Sequence, residues 1–231
     1  MGDFMGNLLE NLVLIYSADE GKLKILLKKR LEEPYKNYWT IPGDMLDEKT
    51  TLEESTRDIF ERETNVKVRS IIQGSVFSNL KRNRDARIIA FTNVVITDKD
   101  LVDMKKDNDL LEWFEVDSLP KLAFDHRDII EKVTEDIKEK ITLNYSDILL
   151  ELFPSDFTLP DFQLFYENVI GKEIDRRNFR KKIFNQNLVI DTGFKSNKKM
   201  GRPSTLYRFN PDEIRGKRIW IKKDGALKIL S

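Results

Sequence analysis

Near residue 145 the chain changes its pattern, and that change limits the fold more than any other feature of the sequence. Before it, β-branched runs alternate with helical stretches. "NLVLIYS" and "LKILLKKR" are apolar runs on either side of an Asp-Glu-Gly turn, which predicts a β-hairpin. "VKVRSIIQGSVFS" and "RIIAFTNVVIT" read as strands, with the polar loop "NLKRNRDA" between them. "RDIIEKVTEDIKEKI" places Ile129, Ile130, Val133, Ile137 and Ile141 at helical spacing. After it come three short helices, "SDILLELF", "LPDFQLFYENVIG" and "DRRNFRKKIFNQN". Pro160 near the first turn and Gly171 just past the end mark the second, and the third starts at Asp175. Two strands, "LVIDTGF" and "STLYRF", then flank the polar loop "KSNKKMGRP". The expected architecture is α+β, a mixed sheet with helices over residues 1–144, followed by a winged helix-turn-helix over 145–231. For the tail, 211–231, an added strand, a subunit contact and a DNA contact remain open.

Charge follows the same division. From Glu151 onward there are 17 Lys+Arg against 10 Asp+Glu, a net of +7, so the first 150 residues carry −7 in a chain whose total is zero. Charge segregated in this way points to two domains with different partners, the basic one suited to nucleic acid. The chain has no cysteine, which excludes disulfides, thiolate catalysis and Cys-ligated zinc. His126 is the only histidine, which argues against a two-histidine metal site. No run of 18 apolar residues exists, and the N-terminus lacks the features of a secretory signal, so a cytoplasmic protein without a membrane span is expected.

The third helix carries the sharpest nucleic-acid signal. Phe179 and Ile183 lie four apart on one face, while Arg176 with Arg180 and Arg177 with Lys181 form neighbouring pairs. One stripe can pack while the adjacent surface stays cationic, as a recognition helix requires: guanidinium groups fork onto guanine edges, and Lys and Arg neutralise phosphates. Lys198, Lys199 and Arg202 sit at the tip of the hairpin, where a wing reaches the DNA backbone or minor groove.

The first half holds a second signal, "WTIPGD" followed by "TLEESTRDIFERETNV". Thr51 and Glu54 fit a capping box, and Asn65 suits the left-handed residue that ends such a helix. The stretch resembles the Nudix box, a loop-helix-loop whose helix carboxylates, three and four apart, hold Mg²⁺ against a diphosphate. Aligned without gaps, Asp44 stands at the box's first glycine, Thr50 at its first Glu, Asp58 at its Arg and Ile59 at the following Glu. Arg62 replaces one of the Glu-Glu pair, Glu63 survives, and Asn65 stands at the last glycine. A register one residue earlier puts Gly43 on the first glycine and recovers Arg57, Asp58 and Glu61, but loses the match at Glu63-Thr64-Asn65-Val66. Both registers leave a crippled metal site.

"SLPKLAFDH", "DFTLPDFQLFYENVIGKEIDRRNFRKKI" and "GRPSTLYRFN" extend the resemblance over roughly residues 8–210, to the Nudix-related transcriptional regulators. That family joins a Nudix α/β/α sandwich to a C-terminal winged helix-turn-helix. The resemblance implies a dimeric repressor of NAD-biosynthesis or sugar-utilisation genes, sensing ADP-ribose or another nucleotide or sugar metabolite, with no hydrolysis and no cofactor. It places Arg176, Arg177, Asn178, Arg180, Lys181 and Lys182 on the recognition helix and Lys199 and Arg202 on the wing. The family's Arg-Asp…Arg stretch falls on Arg84, Asp85 and Arg87, in a loop shorter than usual, which leaves the effector open. Expected effector contacts are Arg30, Arg84 and Arg87 for phosphate and Trp39 for stacking, although Trp39 suits core packing equally well. The competing expectation is a Nudix hydrolase of ADP-ribose-like substrates with an appended basic domain. It needs a metal site rebuilt from Asp58, Glu61 and Glu63.

Overall fold

β1 (Leu8–Asp19) and β2 (Lys22–Lys29) form the hairpin that the Asp-Glu-Gly turn predicts. Glu20 and Gly21 have φ of 49° and 77°, both left-handed, so the two-residue loop matches the twist of the strands it joins. The computed structural model describes residues 8–83, 86–102, 110–143, 146–196, 203–214, 218–221 and 227–230. It divides into two compact units, Met1–Ser17 with Lys24–Thr134, and Ala18–Leu23 with Glu135–Ser231.

The hairpin lies at the centre of a seven-stranded mixed sheet with β3 (Trp39–Thr40), β4 (Gly43–Met45), β5 (Ile72–Phe77), β6 (Ile88–Ile96) and β7 (Leu111–Glu115). The order is β3-β2-β1-β6-β5, with β4 on β1 and β7 on β2. β1 runs parallel to β6, whereas β3, β4, β5 and β7 pair antiparallel with their neighbours. The residues from Leu12 to Ser17 are all buried, not alternately buried and exposed. The reason is a helix on each face of the strand. On one face, Val13 and Ile15 pack with Ile59 and Phe60 of α1 (Leu52–Thr64). On the other, the Tyr16 hydroxyl lies 2.9 Å from Thr134 Oγ1 of α2 (His126–Leu143), whose Ile129, Ile130 and Val133 are buried. These layers form a Nudix-type α/β/α sandwich.

The local signals of α1 are met in detail. The Thr51 side chain accepts from the Glu54 N–H, the Glu54 carboxylate accepts from the Thr51 N–H, and Asn65 closes the helix at φ 56°. The Thr51 hydroxyl, which also donates to Glu54 Oε2 at 2.7 Å, and the Thr51 N–H hold the Glu54 carboxyl below its usual pKa.

The second unit contains α3 (Ser146–Leu152), β8 (Phe157–Thr158), α4 (Leu159–Ile170), α5 (Arg176–Asn185), β9 (Val189–Lys195) and β10 (Thr205–Phe209). α6 (Pro211–Ile214) and a separate two-stranded sheet, β11 (Arg218–Ile221) with β12 (Leu227–Leu230), follow. The three-stranded sheet has the order β8-β10-β9, so three helices and a hairpin form a winged helix. Its core is aromatic: Phe153 lies 5.1 Å from Phe165, Phe157 4.6 Å from Phe209, and Phe162 5.6 Å from Phe179 between ring centroids. The tail adds the short α6 and its own strand pair. Among the described residues no helix is long and apolar enough to cross a membrane.

Candidate functional site

In the winged helix, Thr158 caps α4 by accepting from the Asp161 N–H, and Gly171 ends it at φ 66°. The turn into α5 is held by side chains: Gln163 Nε2 donates to the Ile174 carbonyl at 2.9 Å, and the Ile174 N–H donates to Glu167 Oε1 at 2.8 Å. Asp175 then caps α5, accepting from the Asn178 N–H at 2.8 Å. Phe179 and Ile183 are buried, whereas Arg176, Arg177, Asn178 and Lys181 are exposed and Arg180 and Lys182 half-buried. The Arg180 guanidinium lies 5.8 Å from the centre of the Phe184 ring. Among the described residues, none of these five cations is ion-paired with a carboxylate. The Ser196 N–H donates to the Ser204 carbonyl at 2.8 Å at the neck of the β9–β10 loop. Lys198, Lys199 and Arg202 lie outside the described residues.

In the sandwich, a cleft of about 510 Å³ opens between the end of β2, the β3–β4 segment and the last turn of α1. Arg30 lines it, with Lys28, Lys29, Gly43, Asp44, Arg62 and Glu63. Arg30 is held in place, its Nε donating to the Pro34 carbonyl at 3.1 Å and its guanidinium 4.9 Å from the centre of the Phe124 ring. Gly43 is required for close approach, because a Cβ there would stand 2.7 Å from the Asn11 backbone oxygen. Trp39 is not in the lining; it packs edge-on against Phe114 at 4.8 Å, with Lys29 Nζ 5.8 Å from its ring centre. Arg87 donates to the Ser78 carbonyl at 2.6 Å, away from the cleft, and Arg84 lies outside the described residues. In that same loop the buried cation is Arg82, bonded to Glu10 at 3.0 Å and to Asp125 at 2.7 Å. Beside Asp125, the His126 Nδ1 accepts from the Ile41 N–H at 3.0 Å. Burial, aided by Arg82 and Arg30, pushes the His126 pKa down to about 4 against the pull of Asp125.

The floor of the cleft is an ion cluster. Glu63, with only 4% of its side chain exposed, accepts through Oε1 from Lys28 Nζ at 2.8 Å and from Arg62 Nη2 at 3.1 Å. Arg62 also donates from Nη1 to Asp44 Oδ2 at 2.7 Å. Burial opposes the Arg62 charge, but its bonds to Asp44 and Glu63 outweigh that and hold its pKa above the usual value. Lys28, Lys29 and Arg62 line the cleft beside Arg30 although the sequence did not single them out as effector contacts; the run "KKR" at the end of β2 is a local signal for the first two, and Arg62 has none of that kind.

A mixed-sheet sandwich carrying this loop-helix-loop, followed by a winged helix, defines a sensor-regulator class of protein. Comparison with known proteins agrees: a NUDIX domain model matches residues 10–133, and the NrtR DNA-binding winged helix domain matches residues 149–209. The chain belongs to the Nudix family, in the branch whose Nudix domain is joined to an NrtR winged helix. It is 29% identical to the ADPR responsive transcriptional repressor NtrR of Acinetobacter baylyi, over 84% of this chain and 79% of that protein. It is 35% identical to the ADP-ribose pyrophosphatase of Methanocaldococcus jannaschii, over 46% of this chain and 63% of that protein. The crystal structure of Shewanella oneidensis NrtR complexed with a 27mer DNA superposes with a TM-score of 0.72 at 26% identity, covering 89% of this chain and 95% of that one.

Nudix chemistry implies a divalent cation, and the residues present do not fit one. At the three carboxylate positions of the box helix stand Ile59, Arg62 and Glu63. Ile59 is buried in the core, Arg62 is a cation, and Glu63 is already ion-paired. The other register fares no better, since Glu61 is paired with Lys67 outside the cleft. Among the described residues no three His, Cys, Asp or Glu side chains cluster to hold a metal. The left-handed Asn65 at the box's closing glycine agrees with the register that keeps Glu63.

Proposed function

We propose that this chain is an ADP-ribose-responsive transcriptional repressor, dimeric on DNA, whose Nudix domain binds its effector and does not hydrolyse it. The observation that carries the reading is the pairing, in one chain, of an exposed cationic helix on a winged helix with a Nudix cleft whose Asp44 and Glu63 are bonded to Arg62 and where, among the described residues, no carboxylates gather to hold a metal. Residues 145–231 serve as the DNA-binding part, α5 entering the major groove with Arg176, Arg177, Asn178, Arg180, Lys181 and Lys182, and Lys198, Lys199 and Arg202 on the wing. Residues 1–144 serve as the sensor. Arg30 with Lys28, Lys29 and Arg62 meets the diphosphate by charge-assisted hydrogen bonds. NAD-biosynthesis genes are the natural targets of an ADP-ribose sensor.

Two copies place two recognition helices on half-sites about 34–36 Å apart. Effector binding disfavours that placement, so by linkage ADP-ribose binds the DNA-free form more tightly and DNA weakens ADP-ribose by the same factor. Fragments of genomic DNA selected by the full chain provide the operator for a gel-shift or anisotropy assay. ADP-ribose is expected to release the bound fragment, while a constitutive DNA binder holds it at any concentration. The relative that is an ADP-ribose pyrophosphatase keeps a hydrolase in view. Incubation with ADP-ribose and Mg²⁺ or Mn²⁺ is expected to give no AMP, and turnover of about 1 s⁻¹ or more, an ordinary enzyme rate, contradicts the non-catalytic reading.

A further inference from the structure

In a metal-binding Nudix helix the carboxylates wait for a divalent cation. Here the one that survives is already neutralised from within. Glu63 is buried and receives both Lys28 Nζ and the Arg62 guanidinium on the same oxygen, while Arg62 reaches across to Asp44. A buried carboxylate needs such a partner, and two have been supplied by the chain itself. Arg62 uses three donor atoms in these bonds, Nε, Nη1 and Nη2. A guanidinium has five N–H bonds and an ammonium three, so both side chains keep N–H groups for an anion. Both line the cleft. A divalent ion at this point would have to displace Arg62 from between Asp44 and Glu63 and then sit beside two like charges.

We infer that Arg62, backed by Lys28, stands permanently in the place of the divalent cation, so that this cleft takes a free nucleoside-diphosphate sugar without any metal. This rests on the effector reading above and deepens it. The ligand's diphosphate is neutralised by side chains of α1 and β2, and the half-exposed Arg62–Asp44 bond is the contact it exchanges. Effector sensing then does not depend on free Mg²⁺, unlike binding by a metal-loaded Nudix cleft.

The test is calorimetric titration of the full chain with ADP-ribose, in EDTA and in excess Mg²⁺, together with Mn²⁺ alone followed by electron paramagnetic resonance. Equal affinity in EDTA and Mg²⁺ is expected, with no uptake of Mn²⁺. Arg62→Ala is expected to weaken ADP-ribose by roughly 10- to 100-fold in both buffers, the scale of lost charge-assisted hydrogen bonds. Arg62→Lys, which keeps the charge, recovers part of that loss. Binding that requires Mg²⁺, Mn²⁺ uptake that disappears in Glu63→Gln, or an unchanged affinity in a folded Arg62→Ala overturns the inference and leaves the effector reading standing. No ADP-ribose binding by the wild type in either buffer overturns both.

Discussion

Two helices of this protein carry arginines in opposite settings. On α1, Arg62 is bonded inward to Glu63 and Asp44, and its charge completes a cluster at the floor of a cleft. On α5, Arg176, Arg177 and Lys181 are exposed and, among the described residues, have no carboxylate partner. The residue types are the same and the surroundings differ. A cation paired within the fold stabilises and shapes a pocket, whereas one left to solvent is available to a polyanion. Counting basic residues does not separate the two roles; asking where each charge is satisfied does.

The comparison breaks most readily at the paired side. Lys28→Met with Arg62→Met leaves the Glu63 carboxylate buried and alone, and thermal or urea unfolding is expected to show a loss of about 3–5 kcal/mol. Adding Glu63→Gln should recover most of it. If the double variant is as stable as the wild type, the cluster does not hold the cleft together.

A somewhat smaller effect belongs to His126, buried in the sensor unit and neutral in the fold. Its folded pKa of about 4 lies below the ordinary 6.5, so the unfolded chain binds the proton first as pH falls. Its contribution is therefore intact above pH 6.5 and is lost progressively down to about 4. The total loss is on the order of 3 kcal/mol. Denaturation curves across that window should flatten in His126→Asn, relative to a wild type whose stability falls. A wild-type stability that is level across the window contradicts the assignment.

Next in size is the exposed side. Arg177→Ala with Lys181→Ala is expected to weaken DNA binding by roughly 2–3 kcal/mol and to lower the salt-dependence slope by about two, one for each lost phosphate contact. Stability should stay within about 0.5 kcal/mol, since exposed side chains away from packing contribute little to it. A variant that unfolds more easily but binds DNA as before would reverse the roles assigned to the two helices. The smallest effect is local: Thr51→Ala removes the capping box of α1 and should cost about 1 kcal/mol.

What the sequence made legible was local. The capping box and Asn65 delimited α1, Pro160 and Gly171 delimited α4, and Phe179 with Ile183 set the buried face of α5, because each signal lies within a turn or two of what it specifies. The parts that stayed hidden depend on residues distant in the chain. β8 is two residues long and exists because β10 pairs with it. β3 and β4 are similarly short and need β2 and β1 as templates. The ion pair between Lys28 and Glu63 spans 35 positions, so a lone surviving carboxylate in a damaged box gave no hint of its partner. Arg62 was recognisable as an obstacle to a metal, but its role as a bridge between Asp44 and Glu63 required the geometry. His126 likewise gave no sign in the sequence that its ring accepts the Ile41 N–H.

The most direct test joins both helices in one experiment. Fluorescence anisotropy of a genome-selected operator duplex with the full chain follows the bound DNA, and ADP-ribose is then titrated in with EDTA present. The account predicts release of the duplex by intact ADP-ribose in the wild type, and Arg62→Ala protein that binds the duplex but requires far more ADP-ribose to let go. A duplex that stays bound at saturating ADP-ribose contradicts it.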